Sequence, residues 1–132
     1  MSNDNWREYI KKACTEYYKI GSILCPAFGN ELVYFNKRGF NHLLYKGKDI
    51  RSRKEQSVRL NLVSCAVSIL QASDRPFRSS TDIIGGYKAY FWAFRGKVGS
   101  VWVRIVVRQL GKGRKHFFSV MEEGFVQAKS PD

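Results

Sequence analysis

The feature that most constrains this chain is a strict alternation of side chains over residues 101–109. Every second position carries a β-branched apolar residue: Val101, Val103, Ile105 and Val107. The positions between them carry Trp102, Arg104, Val106 and Arg108. Successive side chains of a strand point to opposite faces of its sheet. The segment is therefore predicted to be a strand with a buried Val/Ile face and an opposite face that is basic and aromatic.

The first half of the chain has a helical period instead. Over residues 5–20, apolar side chains recur at three- and four-residue spacing and form one stripe: Trp6, Tyr9, Ile10, Ala13, Cys14 and Tyr17. A second helix is predicted over residues 52–72. Ser52 and Glu55 have the spacing of a capping box there, and a wide apolar face follows them.

The period changes to two after Pro76, which ends the second helix. Three further segments are predicted strands: Leu32–Phe35, Tyr87–Arg95 and His116–Met121. Turns are predicted at 95–99 and 111–113, and a short helix or turn at 40–45. This order indicates one α+β domain over residues 1–132, with N-terminal helices packed on one face of a four-stranded antiparallel sheet.

Charge narrows the function. The chain has 23 lysines and arginines against 11 acidic residues, a net charge of +12, which points first to nucleic acid as partner and second to a membrane surface. No apolar run is long enough to span a membrane, and the N-terminus lacks a signal-peptide pattern, so a cytoplasmic protein is expected. Cys14, Cys25 and Cys65 lack metal-ligand spacing and are expected to be reduced thiols.

The predicted open sheet face suits RNA, because arginine neutralises phosphate and aromatic rings stack on unpaired bases. It carries Trp102, Arg104 and Arg108. Neighbouring strands add Tyr90 and Trp92 or Tyr87 and Phe91, and either His116 or Ser119, according to register. The upstream basic cluster of residues 36–59 contributes two more predicted RNA contacts, Arg38 and Arg53. A solvated face with no ligand is the alternative.

His42 is the candidate general base. If residues 40–45 are helical, Phe40, Leu43 and Leu44 point inward and His42 shares the outer face with Lys46. Nearby cations lower a histidine's pKa, which favours the neutral, proton-accepting form. Arg59 is either a phosphate clamp or a partner of Glu55 one turn earlier. The aspartates stand singly, so neither a metal site nor a cofactor is expected.

These segments together resemble the phage-associated members of the barnase/EndoU/colicin/RelE-like (BECR) nuclease superfamily. The residues that carry the resemblance are Val33–Phe35, Gly39–Lys46, Arg51–Arg53, Arg59–Val63 and the final strand with Phe117–Val120. The resemblance spans about 30–123, which leaves 1–29 as an N-terminal helical extension and 124–132 as a tail. It implies a metal-independent ribonuclease in which His42, Lys46, Arg59 and Ser119 are catalytic.

The sequence therefore predicts an endoribonuclease that cleaves RNA by attack of the 2′-hydroxyl. The resemblance further implies a toxin, acting on tRNA or mRNA and held in check by an acidic antitoxin or immunity protein, without a membrane partner. Two alternatives stay open. One is a non-catalytic RNA- or DNA-binding module that uses the same face, and the other is a basic adaptor that binds an acidic protein.

Overall fold

The computed structural model describes residues 2–125. Its first half contains α1 (Asn3–Ile20), β1 (Ser22–Cys25), a 3-10 turn (Pro26–Phe28), β2 (Glu31–Tyr34), α2 (Lys37–Leu44), β3 (Tyr45–Lys46), β4 (Asp49–Ile50), α3 (Arg53–Asn61) and α4 (Val63–Ala72). Its second half contains β5 (Arg78–Ile84), β6 (Tyr87–Val98), β7 (Val101–Leu110) and β8 (His116–Phe125). The predicted α+β class is confirmed.

The main sheet has six strands in the order β1-β2-β8-β7-β6-β5. Strands β5 to β8 form the antiparallel meander, while β2 joins β8 in parallel at the pair Tyr34 and His116. The prediction of a four-stranded antiparallel sheet was therefore wrong in strand number and in the parallel pairing. Neither β1 nor β5 was predicted. β1 is too short, at four residues, to show an alternation, and β5 is exposed at every position, so it has no buried apolar face.

One face of the sheet is covered by helices. Val103, Ile105 and Val107 are fully buried, as the alternation predicts, and α1 and α4 contribute Tyr17 and Leu70 to the same core. The predicted N-terminal extension thus contributes to the packed core through α1 and β1. The predicted tail, 124–132, begins inside β8, and residues 126–132 lie outside the described residues.

The predicted helix over residues 52–72 is interrupted at Leu62, which separates α3 from α4. Ser52 caps α3 as expected, because its hydroxyl accepts a hydrogen bond from the Glu55 backbone N–H at 3.1 Å. The Glu55 carboxylate does not close the capping box; it accepts from the Arg51 guanidinium at 3.1 Å. The turn predicted at 95–99 was also misplaced, since β6 continues to Val98.

Helix α2 lies against β8 at very close range. A β-carbon at Gly39 would collide with the Phe117 carbonyl oxygen and the Tyr17 hydroxyl, so only glycine permits this approach. The Tyr17 hydroxyl also donates to the Asn36 carbonyl at 2.8 Å, just before α2. These contacts fix α2 along the edge of β8. Among the described residues 2–125, no helix is both long and apolar enough to cross a membrane.

Candidate active site

The second face of the sheet carries no helix layer and is called the open face below. The β6–β7 register pairs Phe91 with Arg108, and Arg95 with Arg104. Of the two aromatic sets left open by the sequence, Phe91 therefore lies beside the arginines. Trp92 lies on the covered face, where its ring packs edge-on against Phe28.

A bulge in β8 brings an aromatic ring to this face. The register shifts between Val106 and Val107, so that Ser119 pairs with Val106, Phe117 pairs with Val107, and Phe118 is the extra residue. The Phe118 ring lies edge-on to Phe91 at 5.9 Å between centroids. Ser119 is only 4 % exposed, although its pairing with Val106 places it on the open face.

His42 stacks on that ring. Its imidazole lies 4.3 Å from the Phe118 centroid, with 21° between the two planes. The expectation that His42 shares an exposed helical face with Lys46 was wrong, because His42 is half-buried against Phe118. Helix α2 ends at Leu44, and Tyr45 is extended, so Lys46 leaves the helix on the small exposed β3–β4 ribbon while His42 folds onto the sheet.

Arg108 also packs on the Phe118 ring. Its guanidinium carbon lies 4.3 Å from the Phe118 centroid, and its Nε donates to His116 Nε2 at 3.1 Å. Because Nε2 of His116 is the acceptor, the neutral ring carries its proton on Nδ1. His116 is 5 % exposed and Arg108 is 9 % exposed, so His116 holds Arg108 from beneath instead of presenting a ring to solvent.

Two further arginines reach the same place from α3 and the segment before it. Arg51 donates through Nε to the His42 carbonyl at 3.0 Å, at the C-terminal end of α2. Arg59 donates to the Val120 carbonyl at 3.1 Å, on the edge of β8. The Glu55 partner proposed for Arg59 is instead in a salt bridge with Arg51.

Arg51 was missed in the sequence, where Arg53 was chosen instead. Arg53 is exposed; it donates to Asn3 and lies 5.3 Å from the Trp6 ring on α1. The available signal for Arg51 was its position four residues before Glu55, which is the spacing of a helical ion pair. That spacing alone does not reveal that Arg51 also reaches α2.

The His42 cluster is the name used below for six residues: His42, Arg51, Arg59, Arg108, His116 and Phe118. Burial, followed by the charges of Arg51, Arg59 and Arg108, lowers the pKa of His42 to about 4. Burial, followed by Arg108, lowers the pKa of His116 to about 4, although a hydrogen bond to the Arg114 backbone acts in the opposite direction. Both imidazoles are therefore neutral near pH 7. The His116 Nε2, however, already accepts a hydrogen bond from Arg108.

The arginines of the cluster also destabilise one another's charge. Burial lowers the pKa of Arg59, and the nearby Arg51 adds to this effect, which Glu55 opposes. Burial and the exposed Arg38 on α2 likewise lower the pKa of Arg108. Desolvated cations that repel each other gain the most from a bound anion, so this arrangement favours binding of an anion.

A second group of cations lies farther across the open face. The Phe77 cluster is the name used below for Phe77, Arg78, Arg95 and Arg104. The guanidinium carbons of Arg78, Arg95 and Arg104 lie 6.0, 4.7 and 5.5 Å, respectively, from the centroid of the Phe77 ring. Glu123 forms ion pairs with Arg95 at 3.5 Å and with Arg104 at 3.2 Å. Trp102 belongs to this end, 5.2 Å from Arg95.

Neither group resembles a metal centre. Within the described part of the chain, no three histidine, cysteine or carboxylate side chains lie close enough together to hold a metal ion. No protein-family model, curated protein or solved structure matches the chain. The resemblance to the BECR superfamily therefore stays a prediction.

Proposed function

We propose that the protein is a metal-independent endoribonuclease whose active site is the His42 cluster. One observation carries the proposal: the His42 imidazole stacks on Phe118, and the Arg108 guanidinium lies on the same ring. A neutral base, His42, and a desolvated cation, Arg108, therefore lie together at Phe118 on the open face. Cleavage of RNA needs both, one for the 2′-hydroxyl proton and one for the phosphate charge.

In the proposed reaction, the scissile phosphate binds at Arg108, with Arg59 and Arg38 adding positive charge. The phosphate's negative charge opposes the arginines that lower the pKa of His42, so the imidazole becomes a stronger base once substrate is bound. His42 then accepts the proton of the 2′-hydroxyl, whose oxygen attacks the phosphorus. The 5′-oxygen leaves and takes its proton from water, because His116 is engaged by Arg108.

Two of the predicted catalytic residues are dropped under this proposal. Lys46, on the exposed β3–β4 ribbon, and the buried Ser119 have no part in the reaction. Arg108 and Arg51 take their place, the first as phosphate ligand and the second as the residue that fixes the end of α2. Release of this activity inside a cell makes the protein a toxin, and an acidic inhibitor that covers the open face complements its charge of +12.

The test is incubation of the purified protein with total tRNA in EDTA, followed by a denaturing gel. We expect cleavage without divalent ions, 2′,3′-cyclic phosphate ends, and no cleavage of 2′-deoxy oligonucleotides. His42→Ala protein, purified in parallel, controls for contaminating nucleases. Activity that is lost in EDTA and restored by magnesium contradicts the mechanism.

A non-catalytic RNA-binding module is the second candidate, and one observation favours it. Within residues 2–125, His116 and Ser119 are buried, and neither offers an exposed second proton donor beside His42. A module of this kind binds RNA with the same affinity before and after His42→Ala and never cleaves it. The gel described above separates the two candidates.

A further inference from the structure

Phe77 is an unusual residue to leave on the open face. It is a large apolar side chain, 41 % exposed, and it stands just before β5. Its backbone N–H donates to the Ala93 carbonyl at 2.9 Å, so the residue is fixed against β6 rather than held on a free loop. A fixed and exposed ring is a ready stacking platform for a planar ligand.

The cations around Phe77 indicate what that ligand carries. Arg78, Arg95 and Arg104 approach the ring, and their side chains follow the same face of the sheet. Arg95 retains 46 % exposure and Arg104 retains 30 %, so both remain accessible to an anion despite Glu123. An aromatic ring surrounded by guanidinium groups binds a base and the phosphates that flank it.

A groove joins this place to the His42 cluster. Its volume is about 210 Å³, and its lining includes Arg78 and Arg104 of the Phe77 cluster and Phe118 of the His42 cluster. Ala93 and Val106, which also line it, lie between Arg78 and Phe118 in the strand register. The groove crosses from β8 to β5, roughly 14 Å at the usual strand spacing. A nucleic-acid strand bound at Arg108 therefore reaches Phe77 within a few nucleotides.

We infer that Phe77 and its three arginines form a base-stacking subsite for an unpaired stretch of RNA that adjoins the phosphate bound at Arg108. This inference rests on the proposed RNA substrate and extends it, because it selects single strands and loops over duplexes. A base within a duplex has both faces covered by its neighbours, so it offers nothing to the Phe77 ring. The cleaved class is thus RNA with unpaired nucleotides beside the cleavage site.

Binding without cleavage tests the inference. The probe is a fluorescent 2′-O-methyl RNA of about eight nucleotides, a length typical for single-strand sites, which lacks the 2′-hydroxyl needed for attack. Affinity is measured by anisotropy for the single strand and for the same sequence as a duplex. The variants are Phe77→Leu, which removes the ring but keeps apolar bulk, and Phe77→Trp, which keeps a stacking surface.

We expect Phe77→Leu to weaken single-strand binding about ten-fold, and Phe77→Trp to bind at least as well as the wild type. Duplex binding should change less than about two-fold in both variants. The matched control is Tyr18→Leu, because Tyr18 has a similar exposure of 43 % but belongs to α1 in the helix layer. That variant should bind the single strand normally.

Three results overturn the inference: no loss in Phe77→Leu, an equal loss in Phe77→Trp, or the same loss for duplex and single strand. The outcome is separable from that of the proposed function. If single-strand binding depends on Phe77 but tRNA is never cleaved in EDTA, the subsite is supported and the proposed nuclease activity is contradicted. If tRNA is cleaved but single-strand binding does not depend on Phe77, the nuclease activity is supported and the subsite is contradicted.

Discussion

The two ends of the open face use arginine in different ways. In the His42 cluster, Arg51 and Arg108 are 8 % and 9 % exposed; Arg51 binds a backbone carbonyl and the Glu55 carboxylate, and Arg108 binds an imidazole. In the Phe77 cluster, Arg95 and Arg104 remain in contact with water and share the carboxylate of Glu123. Water screens an exposed cation, whereas the field of a buried cation acts more strongly on its neighbours. Buried arginines can therefore set the pKa of a catalytic group, and exposed ones mainly attract a polyanion.

The largest expected effect is at His42. His42→Ala should slow cleavage by about a hundred-fold or more, because it removes the general base, while RNA affinity changes only a few-fold. The lost stacking on Phe118 should lower the free energy of unfolding by about 1 kcal/mol. Single-turnover cleavage and urea unfolding measure the two effects.

Two companion variants sharpen this result. His42→Phe keeps a ring on Phe118 but has no titratable nitrogen, so it should be as stable as the wild type and inactive. Lys46→Ala, on the exposed ribbon, should retain activity within about two-fold, as an exposed side chain outside the cluster. A His42→Phe protein that cleaves normally places the base elsewhere.

The next effect concerns His116, which we expect to position Arg108. His116→Ala should reduce cleavage about ten-fold, since a misplaced catalytic group costs up to about a hundred-fold. His116→Gln should recover part of the loss, because its amide oxygen can accept from Arg108 Nε. In an Arg108→Lys background, which lacks that donor, His116→Ala should cost much less. Equal losses in both backgrounds would mean a purely structural role.

A smaller effect is expected in the pH dependence of stability. Both histidines have a pKa of about 4 when folded, below the usual value of 6.5, so the unfolded chain binds protons first as the pH falls. Their contribution is complete above pH 6.5 and is lost as the pH falls through 4. Urea midpoints measured between pH 7 and pH 4 should therefore decrease. His42→Phe and His116→Gln should each flatten the decrease, and a slope unchanged in both contradicts the burial argument.

The smallest effect belongs to the Phe77 cluster. Glu123→Gln releases Arg95 and Arg104 from their carboxylate, so single-strand RNA affinity should rise a few-fold at low salt and fall more steeply with added salt. The cleavage rate at saturating RNA should not change, because these cations do not touch the imidazole. Glu8→Gln, an equal charge change on the exposed face of α1, should have less effect. A changed maximal rate would show that the two ends are not independent.

The alternation over residues 101–109 was the most informative part of the sequence. It correctly placed Val103, Ile105 and Val107 in the core and Arg104 and Arg108 on the opposite face. The stripe ending at Tyr17 and the N-cap at Ser52 were also correct. These features depend on periodicity and on hydrogen bonds within a few residues, which the local sequence specifies directly. β5 was missed because this exposed edge strand, whose only apolar residues are the adjacent Ile83 and Ile84, carries no such period.

The sequence by itself determined which side chains leave the covered face of the sheet, and that the other face is basic. Only the tertiary structure decided which of them meet. His42 reaches Phe118 because Gly39 allows α2 against β8 and because the bulge turns Phe118 outward. Arg51 and Arg59 join them from elsewhere in the chain, and burial of His42, together with their charges, lowers its pKa. Side-chain direction follows from local backbone geometry, whereas desolvation and charge proximity arise from contacts between distant segments.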